Sequence, residues 1–222
     1  MTSVAVHVVS LRDLDRVRGD AEPALPAADR AAIARRTHGR RRVQAQAARV
    51  LATAVAAPGS VNASHDQDFL VLAQSPVACG VDVEDAAEDE LLEVADRFCA
   101  EGELRERIPA RGLWAAKESA AKACGRGLRA GLRTIRFDGD PTATWSAVDW
   151  PFGSGFLTRV LDLGDRHCAL TVRAATPPRV RTRVWTPTAS GGRWTFVPAT
   201  RPAGDPAHEV AAALSAFGGG RG

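Results

Sequence analysis

Hydrophobic positions along this chain fall into two patterns, one suited to strands and one to helices. Residues 3–10 are valine-rich and alternate weakly, which predicts a first strand. Residues 27–36 and 40–57 are rich in Ala and Arg and read as helices, the second ended by Pro58-Gly59. Two short apolar runs, Asp68–Ala73 and Cys79–Glu84, predict strands separated by a turn at Ser75-Pro76. Residues 87–98 have helical periodicity, and a further helix runs from Leu113 to Cys124, stopped by Gly125 and Gly127. Residues 133–138, 143–148, 155–162 and 166–173 then read as strands, several joined by Gly/Asp turns. Beyond Thr176-Pro-Pro178, the segments Arg181–Thr188 and Arg193–Val197 flank Ser190-Gly-Gly192 and predict a hairpin with aromatic cross-strand contacts. An Ala-rich helix over 206–217 and a Gly-rich end follow. This order places the chain in the α+β class.

Composition narrows the picture modestly. The 222 residues are 45% hydrophobic and 25% charged, enough for one large domain or two small ones with a sizeable core. The net charge of +3 is too mild to argue for nucleic-acid binding, though it would welcome an anionic ligand. Cys79, Cys99, Cys124 and Cys168 are widely spaced, with no Cys-x-x-Cys and no zinc-finger histidine, so they read as reduced thiols of a cytoplasmic protein. No leader peptide and no membrane span is expected. One compositional detail changes the reading more. Lys117 and Lys122 are the chain's two lysines; every other one of its 29 basic positions is arginine. Lysine is a compact point charge and arginine a planar fork, so the two are not interchangeable at a phosphate site.

The chemistry concentrates around those lysines. Asp82 and Glu84 are two apart on a predicted strand, so their carboxylates share one face while Val81 and Val83 face a core. Two adjacent acids repel unless both are solvated, one is protonated, or a cation lies between them. Carboxylates of this kind suit Mg²⁺, which takes few protein ligands and completes its shell with water and phosphate oxygens. On the Leu113–Cys124 helix, Glu118 has Lys122 at i+4 on its own face, with Lys117 about a quarter turn away. Alone, such a pair is an ordinary surface contact worth ~0.3–0.5 kcal/mol. Brought against the acid pair, it would make a metal–diphosphate site.

In that arrangement the residues resemble a known family. Gly80-Val-Asp-Val-Glu84, Trp114-Ala-Ala-Lys-Glu-Ser-Ala-Ala-Lys122 and Gly125-Arg-Gly-Leu128 look like the signature of the 4′-phosphopantetheinyl transferases. Val61-Asn-Ala-Ser-His65 is similar to that family's Asn-x-Ser-His stretch. Arg97-Phe-Cys-Ala-Glu-Gly-Glu103 is similar to its Phe-x-x-x-x-Glu stretch. The matches keep the family's order across about residues 26 to 174.

The resemblance implies the large single-chain class, with two similar α+β halves related by a pseudo-twofold axis. These would be residues 1–77, on the coenzyme A 3′-phosphate side, and 78–175, with the metal site and lysine helix. A Pro/Gly/Arg-rich tail, 176–222, carries the hairpin. The implied reaction moves the 4′-phosphopantetheine arm of coenzyme A to a serine of an apo acyl or peptidyl carrier protein and releases adenosine 3′,5′-bisphosphate. Asp82, Glu84 and Glu118 would hold Mg²⁺. Glu118 and Lys122 would be catalytic, with Glu103 an alternative base. Arg40, Ser64, His65, Lys117 and Lys122 would contact coenzyme A. Arg40 is one of a cluster with Arg35, Arg36, Arg41 and Arg42. Trp114 reads as helix packing. The protein would act as a monomer, without nucleic acid or membrane, on fatty-acid, polyketide or peptide-synthetase carriers. Two other readings stay open from the residues themselves: another Mg²⁺-dependent phosphoester enzyme, and a non-catalytic protein that binds an acidic partner.

Overall fold

The computed structural model describes residues 1–36, 38–55, 58–85, 88–100, 103, 108–151, 153–163, 166–199, 210–212 and 214. Its helices and strands form two sheets, an α+β architecture. The first strand, β1 (Ser3–Ser10), is valine-rich because both its faces are covered. Ser10 caps the following helix, α1 (Leu11–Arg18), by accepting from the Asp13 amide at 3.1 Å. After a two-residue strand β2 (Glu22–Pro23) come α2 (Ala27–Arg36) and α3 (Gly39–Val55), then the antiparallel pair β3 (Ser60–His65) and β4 (Phe69–Ser75).

The second unit opens with β5 (Cys79–Glu84). The helical stretch expected over 87–98 divides into α4 (Glu88–Glu93) and α5 (Ala95–Phe98). The long helix α6 runs Ala110–Ala123. The strand expected over 133–138 shortens to β6 (Arg136–Phe137), because Leu132–Thr134 close a 3-10 turn ahead of it. An antiparallel run follows: β7 (Ser146–Asp149), β8 (Phe156–Asp162) and β9 (His167–Arg173). The expected hairpin is β10 (Arg179–Ser190) with β11 (Arg193–Pro198). Of the helix expected over 206–217, residues 210–212 and 214 are described, and they are helical.

Strand order is β2-β11-β10-β1-β4-β3 in one sheet and β5-β9-β8-β7-β6 in the other. Both contain the same topological piece. A leading strand (β1 or β5) pairs antiparallel with a later one (β4 or β9), which pairs antiparallel with the strand before it (β3 or β8). The tail hairpin enters the first sheet, with β10 running parallel to β1 from Ser3↔Arg179 to Val9↔Trp185.

The two sheets pack face to face. Val4, Val6, Val8 and Val71 from the first meet Val81, Val83, Leu170 and Val172 from the second. Ala211 and Leu214 close the same core. Helix α3 covers the other face of the first sheet, setting Ala47, Val50 and Leu51 on Leu70, Leu72, Trp185 and Trp194. Helix α6 covers the second sheet's other face, with Ala115 and Ala116 against Val160 and Ala169. Strands β3 and β5, each at an edge, meet side by side, and this junction carries the site.

Candidate active site at the junction of the two sheets

Alternation along β5 does the first positioning. Cys79, Val81 and Val83 enter the inter-sheet core, so Gly80, Asp82 and Glu84 face α6. Gly80 lets the helix come close. A Cβ there would lie 2.1 Å from the Ser119 carbonyl oxygen and 2.6 Å from the Ala123 nitrogen, both backbone atoms. Helix α6 is accordingly built from small residues and buried on most of its circumference. Its less buried positions, Arg111, Trp114, Glu118 and Lys122, recur at helical spacing and form one stripe. Glu118 and Lys122 thus lie on the one side of α6 that opens to solvent.

Lys122 reaches across to β5. Its Nζ donates to Asp82 Oδ1 at 2.6 Å, to Ser64 Oγ at 3.2 Å and to the Val81 carbonyl at 3.4 Å. Ser64 Oγ donates to the same Asp82 oxygen at 2.8 Å. Asp82 is buried, and desolvation pushes its carboxyl above the usual range against the pull of Lys122 and Ser64. Glu118 is also shifted up, first by burial and then by the negative charge of Asp82, with Glu84 adding to it and Lys122 opposing. Glu118 therefore senses both acids of the strand.

Strand β3 delivers Ser64 through a side-chain ladder. Ser60, Asn62 and Ser64, each two residues apart, point from β3 to β5. Ser60 Oγ accepts from the Cys79 amide at 3.3 Å, Asn62 Oδ1 from the Val81 amide at 3.0 Å, and Ser64 engages Asp82. Side chains thus satisfy the β5 edge where a neighbouring strand's carbonyls would otherwise do so. The motif Val61-Asn-Ala-Ser-His65 is in this respect a structural splice between the sheets. His65 follows at the solvent side, its pKa lowered by partial desolvation and then by the cations Lys122 and Arg41. Arg40, exposed at the start of α3, contacts Asp15 at 3.4 Å and donates to the Gln67 carbonyl.

Lys117 stands apart from this group. Five residues of α-helix place it about 140° around the axis from Lys122. Its fully buried Nζ donates to the Phe98 carbonyl at 2.9 Å and pairs with Glu103 Oε2 at 2.5 Å. Desolvation lowers its pKa, with Glu103 opposing. Glu103 also accepts from the Ala100 amide at 2.7 Å, so its carboxylate lies with Lys117 rather than with Asp82. Trp114 packs edge-on against Phe98, ring centroids 5.1 Å apart.

Among the described residues, no three acidic, His or Cys side chains are gathered closely enough to chelate one ion. The donor set nevertheless suits a hard cation: oxygen ligands on two rigid elements, with both Asp82 and Glu118 shifted up by burial and Glu118 further by neighbouring negative charge. In this arrangement Lys122 supplies the positive charge at Asp82.

Two features had no motif to announce them. Asp66 shapes the turn after β3: its Oδ1 accepts from the amides of Asp68 at 2.7 Å and Phe69 at 2.6 Å. Arg166, immediately ahead of β9, pairs with Asp66 across the two sheets at 2.8 Å. The self-capping Asp66-Gln-Asp-Phe69 turn was within reach of a sequence reading, whereas its partner a hundred residues on was not.

Residues 78–171 match the family model of the 4′-phosphopantetheinyl transferase superfamily. The matched stretch covers less than half of the chain. It runs from just before β5 into β9 and so contains Asp82, Glu84, Lys117, Glu118 and Lys122; Arg40, Ser64 and His65 lie ahead of it. No curated protein matches the chain. No helix among the described residues is long and apolar enough to cross a membrane.

Proposed function

We propose that this protein transfers the 4′-phosphopantetheine arm of coenzyme A to a serine of an apo acyl or peptidyl carrier protein, as a member of the large single-chain class. One observation supports this most strongly: within the matched stretch, the second lysine of the helix motif engages the aspartate of the strand motif at 2.6 Å, in the field of Glu118. Asp82, Glu84 and Glu118 are the groups that would hold Mg²⁺, which when bound neutralises charge on a diphosphate.

The remaining chemistry belongs to the chain's own residues. Lys122 offsets charge on the diphosphate as its bridge breaks and the adenosine bisphosphate departs, an electrostatic contribution that depends on prior positioning. The carrier serine oxygen forms the new P–O bond, the bond to the adenosine bisphosphate breaks, and Glu118 accepts the serine proton directly or through water. Glu103 is less suited to that step because Lys117 and the Ala100 amide already engage it. His65 and Arg40 supply positive or polar contacts for the nucleotide's 3′-phosphate, beside Ser64.

The test is intact-mass measurement of several apo carriers incubated with coenzyme A, with and without Mg²⁺. A mass gain equal to the phosphopantetheine arm, dependent on Mg²⁺ and lost in Glu118→Gln, is expected. Coenzyme A hydrolysis without carrier modification would replace this reading with that of another phosphoester enzyme. Salt-sensitive carrier binding with no chemistry at all would replace it with a binding role.

A further inference from the structure

The turn that follows His65 is held from several directions. Asp66 accepts the two turn amides on Oδ1, its carbonyl accepts from buried Gln44 at 3.0 Å, and the Gln67 carbonyl accepts from Arg40. These contacts all come from the first sheet and its helices. Arg166 brings one from the second. Its guanidinium lies 2.8 Å from Asp66 Oδ2 and 3.6 Å from Asp68 Oδ2, and stacks 4.6 Å from the centre of the Phe69 ring. The Arg166 and Asp66 side chains are only 7% and 1% exposed. Arg166 also directly precedes His167, which pairs with Glu84 across β5 and β9.

We propose that Arg166 is a positioning residue: through Asp66 it fixes the Ser64–Phe69 segment of the first sheet against the acidic end of β5, and so sets how His65 and Arg40 face a bound nucleotide phosphate. The proposal rests on the coenzyme A reading above. Its physical basis is division of labour within one carboxylate. Oδ1 of Asp66 makes the turn and Oδ2 takes the arginine, so the turn cannot shift without straining the pair. A planar guanidinium holding two acids and a ring constrains angle as well as distance, which an ammonium does not. A buried ion pair by itself says little about stability, and its better-attested use is to specify one arrangement.

Arg166→Lys, Arg166→Met and the double variant Asp66→Asn with Arg166→Met separate positioning from folding, since the double variant leaves no buried charge unpaired. Arg166→Lys is expected to raise KM for coenzyme A about ten- to hundredfold, with kcat changed by no more than about threefold. Amide exchange at Asp68 and Phe69 should accelerate while exchange along α6 stays unchanged. The double variant should fold and show the KM defect of Arg166→Met, not the sum of two defects. Unchanged KM and unchanged exchange at the turn in both Arg166→Lys and the double variant would overturn the proposal. So would a uniform loss of protection across the whole chain, which would make the pair a fold-holding contact. If the unaltered protein binds no coenzyme A by calorimetry, the functional reading fails separately. Exchange at residues 64–69 still decides whether Arg166 holds the turn.

Discussion

Lys117 and Lys122 share a helix and little else. Lys122 is partly open and bonded to a carboxylate that a ligand or cation can compete for, whereas Lys117 is sealed between Phe98 and Glu103. Their sequence signal is identical, two rare lysines in one motif, and helical period alone sends their side chains in different directions. The two should therefore fail differently. Lys117→Met strands the Glu103 carboxylate in a nearly dry pocket, and losing one member of a buried pair costs about 3–5 kcal/mol. We expect a much lower denaturation midpoint, with carrier modification by the remaining folded fraction retained. Lys122→Met should keep most of the stability and lose most of the transfer. Urea titration beside the carrier mass assay checks both; a Lys117→Met protein as stable as the parent would contradict the structural role assigned to it.

At the scale of elements, the contact between β5 and α6 determines whether the site exists. It depends on Gly80, where a methyl group would meet two backbone atoms of α6. Backbone cannot rotate away as a side-chain tip can, so Gly80→Ala must lift the helix and lengthen the 2.6 Å Lys122–Asp82 contact. Overpacking of this kind costs about 1–3 kcal/mol. Gly80→Ala should therefore lower the urea midpoint moderately and suppress transfer by more than that loss of stability accounts for; normal transfer from a destabilised protein would show that the approach of α6 is not what sets the site. Both β5 and α6 were legible in the sequence, because each buries a regular apolar face. Strand β3 was legible as a motif but not as a strand. Its inward positions are Ser60, Asn62 and Ser64, polar because they replace backbone partners at the β5 edge, so hydrophobic alternation is silent there. Helix α1 escaped for a related reason. It buries only Leu11 and Leu14, and apart from the exposed Val17 its other positions are charged, which left the Ser10 cap as its clearest local signal. Arg166 with Asp66 was illegible because its meaning lies in a contact between two sheets that no local pattern encodes.

At the scale of the whole molecule, the hairpin after Thr176 is a structural component of the first sheet. Strand β10 lies between β1 and β11, and its parallel pairing to β1 needs the chain to return across the entire protein before it can form. Local pattern predicted the hairpin but could not say where it docks. Its docking delivers Trp185, Trp194 and Phe196 to the core under α3, where Trp194 is 1% exposed. Removing a buried large aromatic costs about 3–5 kcal/mol each, and three together rival the roughly 5–15 kcal/mol by which a domain is stable at all. The same cut would uncover the long edge of β1, a row of unpaired amides and carbonyls prone to association. A chain ending at Thr176 retains every residue proposed for the active site and the whole matched stretch. It is nonetheless expected to lose cooperative thermal unfolding by circular dichroism and to aggregate on size exclusion. If that shortened chain instead melts cooperatively as a monomer and still modifies a carrier, the hairpin is an accessory and the first sheet stands without it.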